Sequence, residues 1–273
     1  MSSNTNKGFN ALIEYISKEK VLFGIVLLVN ALGIFNNIFN GDSSLYASIS
    51  KNIATSADYI HLNSLVLPNW IDKPHFAFWI WSGFINFFGH TNLGYKLPIF
   101  VSFLILLRYT YLFARLYYYK ESAFLSVFIL SSCLHIIISN NDVRIDMLLI
   151  SFMMGAIYHF HKYIHSNKTH QILLGAALTS IAIMTKGIFI AIPIGISILA
   201  VFVHTKSLKK LIQPIWFFSF ALILVGISPA LYALKIQFET YGDQLILGQE
   251  ASNYLKFFFW DSQFGRFYSN LGQ

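Results

Sequence analysis

Charge is scarce in this sequence: Asp, Glu, Lys and Arg make up 11% of its 273 residues, against roughly 25% in soluble globular chains. That shortage excludes an ordinary soluble domain. Cysteine is scarcer still. Cys133 stands alone inside an apolar run, which excludes a disulfide framework and a cysteine metal cluster. A mean hydropathy of +0.58 excludes disorder, because disordered chains are polar. The first apolar run lacks the small-residue cleavage site of a signal peptide, so it stays with the protein. The net charge of +7 reads as orientation and lipid-headgroup contact in so apolar a chain. No nucleic-acid partner follows from it.

What is present is apolar sequence in many separate pieces. The runs 21–39, 97–117, 122–140, 147–164, 171–185, 187–203 and 211–234 each come near or above the ~18 residues of a transmembrane candidate. They predict an all-α, polytopic membrane bundle of about seven transmembrane helices. A further run, HFAFWIWSGFINFFG at 75–89, reaches only about 22 Å as a helix at ~1.5 Å per residue. Were it to cross the membrane, Lys206, Lys209 and Lys210 would lie outside, against the positive-inside rule. Lying at the interface, it leaves the chain start, Arg115 and Lys120, Lys162 and Lys168, and Lys206 to Lys210 all cytoplasmic. Its Phe and Trp content also suits an interfacial helix.

The expected organisation is therefore a cytoplasmic start (1–20), a first transmembrane helix (21–39) and an external loop with interfacial helices (40–96). Six further transmembrane helices (97–234) and an external stretch (235–273) follow, as in the N-terminal part of a longer protein. Most acidic residues fall on the external side, and chemistry is expected there.

The external segments hold the candidate residues. Asp42 opens NGDSSLYASISKNI, where Tyr46, Ile49 and Ile53 share a helix face; an Asp before such a pattern is also a good helix N-cap. Asp72-Lys73-Pro74 precedes the aromatic run, with Pro74 suited to the first helical position. In NNDVRIDM, Asp142 and Asp146 are four apart, so on a helix they share a face while Arg144 points away. Lys186 sits between two apolar runs, where it either snorkels to the interface or serves a site. FFFWDSQFGRF closes the set with Trp260, Asp261 and Arg266. On the expected topology these charges gather on one membrane face. Carboxylates and cations together suit a reaction that deprotonates an acceptor hydroxyl and neutralises a phosphate leaving group.

The order of these motifs resembles glycosyltransferase family 39, the membrane GT-C-type enzymes that include protein O-mannosyltransferases and the aminoarabinose transferase of lipid A. The matching pieces are GDSSLYASIS, WIDKPHFAFWIW with FFGHTNLGYKLP, NNDVRIDMLLI, IMTKGIFIAIP and FFFWDSQFGRF. The resemblance implies a GT-C-like bundle in which Asp42 and Asp146 are catalytic. It implies that Lys73, Lys186 and Arg266 bind the donor phosphate, with Tyr46, Asp142, Arg144, Trp260 and Asp261 in support. It also points to Asp72 as a metal ligand, although a divalent metal is allowed rather than required. Relatives often carry an Asp-Glu pair where this chain has Asp42-Ser43.

The resulting expectation is a transferase moving a sugar from an undecaprenyl-phosphate donor to lipid A, another glycolipid or a protein. Its site would face the periplasm from a bacterial inner membrane. A transporter or flippase with Asp146 and Lys186 along a substrate path is the alternative, although no internal repeat supports it. A structural assembly subunit would leave the placement of the charges unexplained.

Overall fold

The computed structural model describes residues 21–37, 41–64, 69–241 and 253–265. Helices dominate, and no strand occurs among the described residues. In chain order they are α1 (Val21–Phe35), α2 (Asp42–Ser56), α3 (Phe76–Phe88), α4 (Asn92–Tyr117), α5 (Lys120–Ser132) and α6 (Leu134–Asn140). Then come α7 (Ile145–Ser166), α8 (Thr169–Lys186), α9 (Ala191–His204), α10 (Pro214–Gly226) and α11 (Ser228–Tyr241). The turn Tyr254–Lys256 runs into a π-turn at Phe257–Asp261. At the centre α7 packs on both α4 and α8; α5 flanks α4, α10 flanks α8, and α2 and α3 pack as a pair beside α4.

The expected membrane bundle is present, but the count of seven spans needs correction. Among the described residues, only Asn92–Tyr117 and the combined stretch Pro214–Tyr241 are long and apolar enough to cross on their own. Helices α5 and α6 add a third if the pair, bent by 64°, is one span. The physical reason lies in the helix ends. Helix α7 carries Asp146 in its first turn and His159, His161, Lys162 and His165 toward its end, while α8 has His170 and Gln171 in its first turn and ends with Lys186. These polar turns shorten the apolar stretch of each helix. The run 122–140 is broken at Cys133, whose backbone is extended (φ −63°, ψ 127°).

Helix α3 shows why the aromatic run folds as it does. Ala77, Phe78, Trp81, Ser82 and Ile85 recur at helical spacing and are its buried face. Covering a side chain such as Phe78 stabilises by roughly 1.5–3 kcal/mol. The helix is about 20 Å long at ~1.5 Å per residue, short of ~30 Å of hydrocarbon. Pro74 lies one residue ahead of the cap residue His75, so it precedes the helix and does not open it.

Two buried polar side chains fix the loops that carry the site. Lys96, fully buried in the first turns of α4, donates to the carbonyls of Gly33 (3.3 Å), Asn36 (2.7 Å) and Asn37 (3.1 Å) at the end of α1. Three partners for three N–H groups make a buried ammonium tolerable. Gln237 of α11, also fully buried, accepts from the Leu62 amide (3.3 Å) and donates to Leu62 O (3.2 Å) and Asn69 Oδ1 (2.9 Å). It thereby ties the loop before α3 to the end of the bundle. Neither residue was among the sequence candidates.

Candidate active site

Asp42 is the first helical residue of α2 and is exposed; the cap position belongs to Gly41 at φ +78°. No side-chain cap bond forms there, so the capping reading of Asp42 is not realised and its carboxylate faces outward. The next residue turns inward. Ser43 is buried and donates to Asp142 Oδ2, and Arg144 Nε donates to the same oxygen at 3.3 Å. Asp142 is itself fully buried, a pin between α2 and the link before α7.

Asp142 and Asp146 do not share a helix face as their spacing predicts. Helix α7 begins only at Ile145, after a turn in which Arg144 is extended (φ −124°, ψ 131°). Asp142 therefore points into the protein, while Asp146 sits in the first turn of α7. There it forms an ion pair with Lys186, the last residue of α8. A specific partner, rather than snorkelling, accounts for that lysine. Lys73 Nζ meets the Asp72 carboxylate at 2.5 Å, both half-buried.

Tyr46 lies one turn beyond Asp42 on α2 and is buried against Trp70 and Phe78, each at 5.8 Å between ring centroids, and Trp81 at 6.2 Å. Burial pushes its phenol above the usual range; the charges of Asp42, Asp72 and Asp146 push it further, and Arg144 opposes them. One neutral phenol thus feels residues from α2, the loop before α3 and α7. Three of the five acidic candidates, Asp42, Asp72 and Asp146, lie within its electrostatic reach.

Beside this cluster runs a groove of about 490 Å³. Lys73 and Lys186 supply its cations, Phe189, Ile192, Pro193 and Phe264 its apolar wall, and Ser262 and Gln263 a polar edge. Its shape depends on the turn between α8 and α9. Gly187 has φ +118°, and a Cβ there would lie 2.4 Å from the Gln263 side chain. The positive φ favours glycine at this turn, and the missing Cβ leaves the end of the Gln263 side chain room to lie against it.

The late aromatic motif contributes differently from the expectation. Trp260 is largely exposed, and Asp261 makes a long contact to Lys256 at 3.8 Å. The groove instead receives Ser262, Gln263 and Phe264, three residues that the sequence reading passed over. A π-turn at Phe257–Asp261 sets the rotation that aims them. Arg266 lies outside the described residues.

Among the described residues no three His, Cys, Asp or Glu side chains come together as a metal-ligand cluster, and the Asp72 carboxylate is paired with Lys73.

A helical bundle with short broken helices packed on its spans, and a cation-lined apolar groove beside a carboxylate, defines a GT-C-like membrane fold. The family model described as dolichyl-phosphate-mannose-protein mannosyltransferase matches residues 72–232, and the chain belongs to that family. The fold is similar to that of ArnT from Cupriavidus metallidurans bound to undecaprenyl phosphate, with a TM-score of 0.70 at 17% identity over 93% of this chain. Against the apo state of that protein the TM-score is 0.66 at 18% identity over 85% of this chain. The chain spans 44% and 43% of those two structures, less than half their length. No curated protein matches the sequence.

Proposed function

We propose that the chain is the donor-side part of a membrane glycosyltransferase that moves a sugar from a polyprenyl-phosphate donor to a lipid or protein acceptor. The site faces the outside of a bacterial inner membrane in this reading. One observation carries it: Lys73 and Lys186 stand over the same groove whose walls are Phe189, Ile192, Pro193 and Phe264. Paired cations over an apolar trough suit a phosphate with a prenyl tail. The ArnT structure was solved with undecaprenyl phosphate, a ligand of that chemistry.

The reaction follows from the charges. The acceptor hydroxyl loses its proton to Asp42, its oxygen bonds to the anomeric carbon, and the bond from that carbon to the phosphate oxygen breaks. The polyprenyl phosphate leaves with the electron pair, and Lys73 and Lys186 neutralise its growing charge. A single displacement inverts the anomeric centre. Asp146 holds Lys186 in place through their ion pair.

The test is mass spectrometry of lipid A, other glycolipids and secreted glycoproteins from the native host. Wild type and Asp42→Asn are compared at matched membrane abundance. One sugar lost from one class of molecule upholds the reading and names the acceptor; unchanged glycans would remove the catalytic role of Asp42.

A further inference from the structure

A second cavity, of about 590 Å³, opens at the other end of the bundle. Helix α7 carries Asp146 in its first turn and His161 and His165 near its last, roughly 22–29 Å away at ~1.5 Å per residue. The cavity is therefore separate from the Asp42 site. It lies between the end of α4, the end of α7 and the second half of α9.

Its polar wall holds one lysine and three imidazoles. Tyr117, His161, His165, His204 and Lys210 line it, and no carboxylate does. His161 is only 4% exposed. Its Nδ1 is 2.6 Å from the Tyr117 hydroxyl, and its Nε2 has only a weak main-chain contact with Ser197. A buried ring nitrogen so weakly satisfied calls for an explanation. Metal ligation is not the answer, since no three His, Cys, Asp or Glu side chains gather there among the described residues.

The remaining wall is apolar, including Phe113, Ile164 and Val201. The roof is a tight turn in which Lys206 has φ +51° and the Ser207 amide donates to Phe202 O at 2.9 Å. That turn folds the Lys210 segment back toward α9. Exposed Lys168 and Lys209 stand in the two links at this end of the bundle. A lysine and imidazoles over an apolar slot, with further lysines on the surrounding helix-end surface, match an anionic amphiphile better than a neutral one.

We propose that this cavity binds the phosphate headgroup of an anionic phospholipid, with the carbons beneath that headgroup resting on Phe113, Ile164 and Val201. The site is independent of sugar transfer and holds whether or not Asp42 is catalytic.

Native mass spectrometry of the purified, delipidated full chain tests this, with phosphatidylglycerol, phosphatidylcholine and inorganic phosphate as probes. Wild type should retain phosphatidylglycerol at least about tenfold more tightly than phosphatidylcholine. The exposed pair His204→Gln/Lys210→Gln should lose about tenfold or more, the scale of lost charge-assisted bonds. His161→Phe, which keeps the ring volume, should weaken retention too. Lys168→Gln, exposed at the same end but outside the cavity, should lose far less than the double variant. Equal retention of the two lipids, an unaffected double variant, or an equal loss in Lys168→Gln would overturn the proposal. Displacement by inorganic phosphate with no lipid preference would overturn the lipid assignment.

Discussion

Lys186 and Asp146 form an ion pair across 40 residues of sequence, joining the last turn of α8 to the first turn of α7 at the edge of the groove. Both side chains keep part of their surface in solvent, so the pair contributes little to folding. It orients a cation instead. Lys186→Gln should lower transfer by about 10²–10³-fold, as expected when a donor to a developing oxyanion is lost. Its melting temperature should move by less than about 3 °C, because a partly exposed pair is worth ~1 kcal/mol or less. Transfer kinetics and a thermal melt on the same preparation check both.

Ser43→Ala should do the reverse. The hydroxyl serves the buried carboxylate of Asp142, and a buried acceptor that loses a donor costs about 1–3 kcal/mol. The melt should shift downward while donor KM holds in the protein that remains folded.

Gly187→Ala meets two obstacles, the positive φ and the Gln263 side chain at 2.4 Å from the new Cβ. A loss of about 1–3 kcal/mol is expected from the backbone strain alone. In a double-mutant cycle, Gln263→Ala should recover the steric part and leave the backbone part. Full additivity of the two changes would mean that they are not in contact.

His75 gives a pH dependence. Burial pushes it down from 6.5 to about 4, and its Nε2 lies 2.8 Å from Ile60 O. The folded chain thus binds its proton later than the unfolded chain. The stabilisation is complete above about pH 6.5 and is lost as pH falls toward about 4, with a total on the order of 3 kcal/mol. Melts between pH 7 and 4 should fall more steeply in wild type than in His75→Phe.

Local chemistry made part of this readable in advance. Aromatic periodicity announced α3, and a lysine between apolar runs announced the turn at Lys186-Gly187. The one-sided gathering of charge pointed to the residues that Tyr46 feels. The failures were matters of turns and long-range partners. A four-residue spacing placed Asp142 beside Asp146 because the turn ahead of Ile145 carries no strong breaker. Lys96 and Gln237 left only the signal that a polar group in apolar company must find a partner; which partner is decided 60 or 175 residues away. Ser262, Gln263 and Phe264 were hidden by a π-turn, which rotates side chains away from helical spacing.

Lys96 also bears on how the protein meets its bilayer. Helix α1 is apolar along its described length and, met by lipid alone, would be free to tilt in the bilayer. The carbonyls at its end are held by an ammonium rooted in α4, and α4 is long enough to span without adjustment. The end of α1, beyond which the chain runs on to Asp42, is thereby anchored to a spanning helix and not left to the lipid around it.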